Sequence, residues 1–352
     1  MDLFNKYLSN PILTGFFLAL LALFLHLYRI PLEIAEGLKH FGFLHPLSIS
    51  ISGIIIGAFI SSCFFKEFSI KIPSKIDFLK SIIAGILMGL GATLALGCNI
   101  GGFYTSVANL SASGIIMMIG IIIGTLIGIK YLIWEAEHFS QKGGINIHIK
   151  NIEKIGTLIG LSIFLFFILK IPYYKKVLIS SIILGFFIQR SRFCMANAFR
   201  EPFISGESLM LKSVILSLII AMIGIIFLKY KNFLEPYFYV NPTFIWGSLI
   251  GGIIFGIGMV LADACALSSL WKLGEGQIKL IIVIILFGLT FSLCKYYLNI
   301  LKIWEKGYLG RKIYLPDYLT YPGAFLFIIA FLFLFLLFAE WNKRSKKFII
   351  KI

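Results

Sequence analysis

Residues 83–98 read Ile83-Ala-Gly-Ile-Leu-Met-Gly-Leu-Gly-Ala-Thr-Leu-Ala-Leu-Gly-Cys98, and residues 250–265 read Ile250-Gly-Gly-Ile-Ile-Phe-Gly-Ile-Gly-Met-Val-Leu-Ala-Asp-Ala-Cys265. Slid by 167 residues, Gly85, Gly89, Gly91 and Cys98 fall on Gly252, Gly256, Gly258 and Cys265. Ile83, Ile86, Leu94 and Ala95 also meet identical residues, so eight of sixteen positions agree without a gap. Chance would give roughly two matches in so apolar a background. The pattern predicts a duplicated unit in which a glycine-lined helix delivers a cysteine at its end.

The surroundings decide the solvent. Of 352 residues, 59% are hydrophobic and 14% charged, and the mean hydropathy is +0.96. One soluble core cannot hide that much apolar surface, so the chain reads as lipid-embedded. A bilayer span needs about 20 apolar residues. Runs of that kind cover 11–29, 46–66, 78–97, 113–134, 153–171, 176–193, 208–229, 243–262, 276–298 and 321–341. The expected fold is therefore all-α and polytopic, with about nine or ten transmembrane helices, two internal repeats and short re-entrant helices at the cysteine loops. The first run lacks a basic leader and a small-residue cleavage site, so it reads as a retained helix.

The net charge of +16 is spread through the linkers. It suits loops beside anionic headgroups and argues against nucleic-acid binding. Lys343-Arg-Ser-Lys-Lys347 follows the last span, which by the positive-inside bias predicts a cytoplasmic C-terminus.

The expected organisation is an N-terminal span and linker (1–45), a first repeat (46–134), a polar linker with a connecting span (135–175), a second repeat (176–298) and a C-terminal span with a basic tail (299–352). After Cys98, Asn99-Ile100-Gly101-Gly102 is a turn signal, and the segment up to Leu110 is too short to cross a bilayer. Non-helical backbone at that depth must face protein or a water-filled cavity, so this turn is a candidate cavity wall. A fainter echo lays Ile54–Lys66 on Ile182–Cys194, placing Lys66 in the slot of Cys194. Whether the halves are parallel or inverted is open at this level, with inversion the commoner transporter solution.

Gly-Cys-Asn-Ile-Gly-Gly-Phe-Tyr (97–104), Gln-Arg-Ser-Arg-Phe-Cys-Met-Ala-Asn-Ala-Phe-Arg-Glu-Pro-Phe (189–203) and Leu-Ala-Asp-Ala-Cys (261–265), with Gly274-Glu275-Gly276-Gln277 downstream, resemble the YeeE/YedE family. This is a sulfur-transport family of bacterial inner-membrane proteins, and the motif order resembles its YedE branch, which includes putative selenium transporters. The similarity runs from about Pro46 to Trp341. It implies that Cys98, Cys194 and Cys265 line a narrow pathway for thiosulfate or a selenium analogue, and it suggests a TusA-like cytoplasmic sulfur carrier as partner. The family pattern has Gly-Gly-Cys where this chain has Asp263-Ala264-Cys265, and a carboxylate there repels a dianion unless protonated or paired.

The chemistry fits that implication. A dry constriction of thiols donates weak S–H bonds to a soft terminal sulfur without holding it too tightly to leave, and helix N-termini after the cysteine turns add N–H donors. Supporting candidates are Gly97, Asn99, Gly101, Gly102, Arg192, Asn197, Asp263 and Glu275. Gly85, Gly89, Gly91, Gly252, Gly256 and Gly258 serve close helix packing. Arg190, Arg192 and Arg200 either attract anions to an entrance or anchor to headgroups. Glu275 is expected to pair with Lys272 or Lys279, and Cys63 and Cys294 are expected to be apolar fillers. His138 and His148 lie in the polar linker, and His26, His40 and His45 lie upstream. No His-x-x-x-His or Cys-x-x-Cys spacing occurs, so no metal, disulfide or cofactor is expected. The alternative to a permease is a membrane sulfur relay passing persulfide to a carrier. It needs an activated thiolate, and only Arg192, near Cys194, could serve as activator.

Overall fold

The computed structural model describes residues 8–40, 45–138, 144–147, 156–158, 160–162, 164–166, 174–304 and 306–350. The helices, in chain order, are α1 (Pro11–Leu27), α2 (Ile34–Lys39), α3 (Pro46–Phe64), α4 (Lys75–Ala95), α5 (Ser106–Ala108), α6 (Ala112–His138), α7 (Lys175–Ser191), α8 (Met195–Ile204), α9 (Leu209–Tyr230), α10 (Trp246–Ala262), α11 (Ala266–Gly274), α12 (Lys279–Ile300) and α13 (Pro316–Ser345). A π-helical turn, Asn99–Thr105, precedes α5. The only strands among the described residues are β1 (Ile70–Ile72) and β2 (Ile145–Ile147), paired antiparallel.

Local signals start the helices. Asn10 accepts from the Ile12 amide at 3.0 Å ahead of Pro11, and Ser74 accepts from the Asp77 amide at 3.1 Å. Both satisfy N–H groups that have no intrahelical partner.

Eight helices among the described residues are long and apolar enough to cross a membrane. The expected nine or ten counted two further runs, 11–29 and 153–171. The 11–29 run is the 17-residue α1, about 25 Å at 1.5 Å per residue, a little short of a hydrocarbon core. The expected 153–171 span lies largely outside the described residues, as do His148 and much of the polar linker.

Seven of these eight helices, together with α1, form two layers of four. In the first, neighbours run α6–α10–α4–α12; in the second, α3–α7–α1–α9. The short helices α2, α5, α8 and α11 lie between the layers and touch both, and the π-helical turn packs on α6, α10 and α4 and reaches α9 through the Tyr104–Ser217 hydrogen bond. α13 packs outside, against α8 and α9.

Glycine sets the spacing of the first layer. A Cβ at Gly85 or Gly89 would crowd α12 at Val283 and Phe287, and one at Gly252 or Gly256 would crowd α6 at Met117 and Ile121. Gly91 faces Gly251 across the α4–α10 crossing, and Gly258 faces Ala84 and Met88. Contacts in that order make α4 and α10 antiparallel, so Cys98 and Cys265 lie toward opposite faces of the protein.

In the second layer, α3 and α7 lie side by side and parallel, with Gly53 against Ser181, Gly57 against Ile182, and Ser61 Oγ donating to Gln189 Oε1 at 2.6 Å. Lys66 stands exposed in the turn after α3, its amide donating to the Cys63 carbonyl at 3.2 Å. The two helices whose sequences echo are thus neighbours in one layer.

Candidate functional site

Three long helices end alike. α4, α7 and α10 close on Leu96, Arg192 and Asp263, with φ of 55°, 52° and 54°. None is glycine, so each left-handed residue costs about 1–2 kcal/mol. Two residues later, Cys98, Cys194 or Cys265 stands in extended backbone as the N-cap of the next short segment. The reversal turns each thiol away from lipid and into the space between the layers. All three are at most 1% exposed.

Two of them meet. Cys194 Sγ donates to Ser268 Oγ at 3.1 Å, while Ser268 Oγ lies 3.2 Å from Cys265 Sγ and its amide 3.3 Å from the same sulfur. Ser268 thus joins two thiols from α8 and α11, and Trp271 Nε1 ties the pair of turns together through the Phe193 carbonyl at 2.9 Å.

Cys98 occupies a separate place, toward the face that carries the 231–245 loop. Its amide donates to Glu33 Oε1 at 3.2 Å, the Ala35 amide donates to the same oxygen at 2.9 Å, and Tyr239 donates to Glu33 Oε2 at 2.7 Å. Burial pushes the Glu33 carboxyl above its ordinary value of 4.5, and the bonds from Tyr239 and Cys98 only partly oppose it. Burial and the neighbouring Glu33 also push the Tyr239 phenol up. Gly97, Gly101 and Gly102 wrap this carboxyl and one another so closely that a Cβ at Gly101 would overlap it. The sequence reading missed Glu33 because it sits in a short polar linker between spans. The available signal was an acid that N-caps a six-residue segment, Ile34–Lys39.

Asn99, next to Cys98, is fully buried, and neither its amide nitrogen nor its amide oxygen has a partner among the described residues. Such a group costs about 1–3 kcal/mol, which suggests a role beyond folding.

The opposite face carries a charge frame. Asp263 is paired, with Arg200 Nη1 at 2.6 Å and Lys272 Nζ at 3.1 Å. Glu275 pairs with Arg192 at 3.3 Å, which corrects the expected pairing with Lys272 or Lys279. Glu67 takes Arg190 at 2.7 Å and Arg192 at 3.5 Å. The three arginines are thus engaged in ion pairs. Asn197 accepts from Arg200 at 3.1 Å. Cys63 is buried near the end of α3, Cys294 is half-buried on α12, and neither joins the three turns. Among the described residues no three of His, Cys, Asp and Glu converge as a metal site requires.

A family model described as Sulphur transport matches residues 10–127 and 190–351. The probable transporter YedE of Escherichia coli (strain K12) is 26% identical over 272 residues, 69% of this chain and 65% of that protein. The probable transporter YedE of Salmonella typhimurium is 25% identical over 274 residues, 72% of this chain and 63% of that protein. The thiosulfate transporter TsuA of Escherichia coli (strain K12) is 36% identical over 102 residues, 29% of this chain and 28% of that protein. The match thus spans a little under two thirds of the length of the YedE relatives.

Proposed function

We propose, from the premise that the chain belongs to the sulphur-transport family, that it moves a small sulfur-containing anion across a membrane past Cys98, Cys194 and Cys265. Thiosulfate is the first candidate, because relatives with matching stretches carry that name, and a selenium analogue is the second. The observation that carries this reading is the arrangement of three buried thiols at the starts of short helices between two layers of apolar helices, with an Asn99 amide beside Cys98 that has no partner among the described residues. Thiols and an amide offer weak donors to an anion stripped of water, and weak donors let it leave again. Pairing of Asp263 removes the repulsion that an isolated carboxylate would impose.

On the same reading the protein sits in a bacterial inner membrane with its C-terminus on the cytoplasmic side. The basic tail at Lys343–Lys347 supports that orientation. A TusA-like carrier would receive sulfur there, docking on the face that holds Cys265. The experiment is uptake of labelled thiosulfate into liposomes holding the purified full chain, with sulfite, sulfate and selenite as competitors. Uptake without any carrier supports transport. Sulfur release only when a carrier protein is added would favour the relay reading.

A further inference from the structure

Four buried side chains, not three, begin the short segments between the layers: Cys98 before the π-helical turn, Cys194 before α8, Cys265 before α11, and Glu33 before α2. The two halves correspond element by element. α1–α2–α3–α4–(Cys98)–α6 is answered by α7–α8–α9–α10–(Cys265)–α12, and α1 crosses α7 antiparallel as α4 crosses α10. In this order the counterpart of Cys194 is Glu33. Their surroundings agree: the Met195 amide, one residue after Cys194, faces the Cys265 sulfur, and the Ile34 amide, one residue after Glu33, faces the Cys98 sulfur.

Glu33 also borders an opening. A cavity of about 320 Å³ on its face is lined by Glu33, Glu36, Leu47, Tyr239, Asn241 and Lys295, among others. The one cation of that lining, Lys295, is held by Glu36 at 2.5 Å, and among the described residues no cation lies within ion-pairing distance of Glu33.

We propose that Glu33 is the fourth station of the pathway, and that an anion reaches Cys98 from this cavity only while the Glu33 carboxyl is protonated. The proposal rests on the transport reading above. A carboxylate here would meet the incoming anion at a few ångströms in a low dielectric, and the repulsion would close the route. The protonated acid carries no charge and offers an O–H donor where Cys194 offers an S–H donor on the other side. No bond of the transported anion is made or broken. The only exchange is a proton: the Glu33 carboxylate takes it from hydronium of the bathing solution, leaving water, and returns it to water or hydroxide as the pH rises. The groups facing Glu33 are Tyr239 from the 231–245 loop, Cys98 after α4, and Glu36 on its own helix; Gly101 comes from the π-helical turn, and the Glu36–Lys295 pair screens the side of α12. Burial without a counter-ion favours the neutral acid.

The test is labelled thiosulfate uptake by full-length protein in liposomes, with equal pH on both sides, from acid to alkaline. Wild-type uptake should fall about tenfold per pH unit above a single midpoint. Glu33→Gln should flatten the curve and keep uptake in alkali. Tyr239→Phe removes a donor to the ionised form and should move the midpoint upward. A pH-independent wild type, or a Glu33→Gln protein with the wild-type slope, overturns the proposal. If Glu33→Gln does not fold, an unmoved midpoint in Tyr239→Phe does so. If the wild type takes up none of the anions, the transport reading fails instead. The same pH series read as thiosulfate-dependent thermal stabilisation then decides on Glu33, a shift confined to acid supporting it and a shift equal at all pH overturning it.

Discussion

Gly91 and Gly251 stand face to face at the α4–α10 crossing, and a Cβ built on either would lie 2.6 Å from the carbonyl oxygen of the other. Neither position has room for a side chain without moving backbone. Gly91→Val or Gly251→Val should therefore destabilise the protein by at least about 1–3 kcal/mol, the usual cost of overpacking. Thermal unfolding in detergent reads the loss, and a midpoint equal to wild type would contradict the close crossing.

Removing a thiol tests the pathway. Cys98→Ala, Cys194→Ala and Cys265→Ala should each lower thiosulfate uptake at least about tenfold, equivalent to one donor of about 1.4 kcal/mol. Cys63→Ala should leave it near wild type, since Cys63 stands outside the three turns. Equal uptake in all four variants would end the cysteine pathway.

Asn99 offers a separation of stability from function. Its unpartnered amide costs folding energy, so Asn99→Leu should raise the unfolding temperature or leave it unchanged while uptake falls. Both quantities falling together would make Asn99 a structural residue.

Asp263 holds Arg200 and Lys272 on the Cys265 face. Asp263→Asn leaves two unpaired cations there. Anion uptake at low ionic strength should rise, and the excess should fade as salt screens it. Stopped-flow uptake across a salt series reads this, and an unchanged salt slope would refute it.

Glu33 makes stability depend on pH. Its folded value is raised above 4.5, so its contribution is fully present below the unfolded value and is lost as pH rises through the folded one. Glu33→Gln should gain over wild type in unfolding temperature in alkali and show no gain below about pH 4.5. Parallel pH curves for the two proteins would rule out a raised carboxyl.

The legible parts were those that repeat in one dimension. Apolar runs of bilayer length, the glycine–cysteine echo at 83–98 and 250–265, and the Gln189–Phe203 motif were sufficient for the helices, the short segments after the cysteines and the family. Period and length are properties of the chain itself. Pairing across the fold was not legible. The slide laid Lys66 on Cys194, yet α3 and α7 are parallel neighbours with Gly53 beside Ser181, and a one-dimensional slide carries no information on such adjacency.

By itself, then, the sequence determined that this is an all-α membrane protein carrying cysteines at the ends of glycine-lined helices, because lipid forces every backbone group into long apolar helices. The tertiary structure alone decided which side chains meet. The antiparallel α4–α10 crossing sends Cys98 and Cys265 to opposite faces, Ser268 joins Cys265 to Cys194, and Cys98 receives a carboxyl, Glu33, from 65 residues away. Those encounters depend on how two layers of helices stack, and side-chain packing between layers leaves no period along the chain.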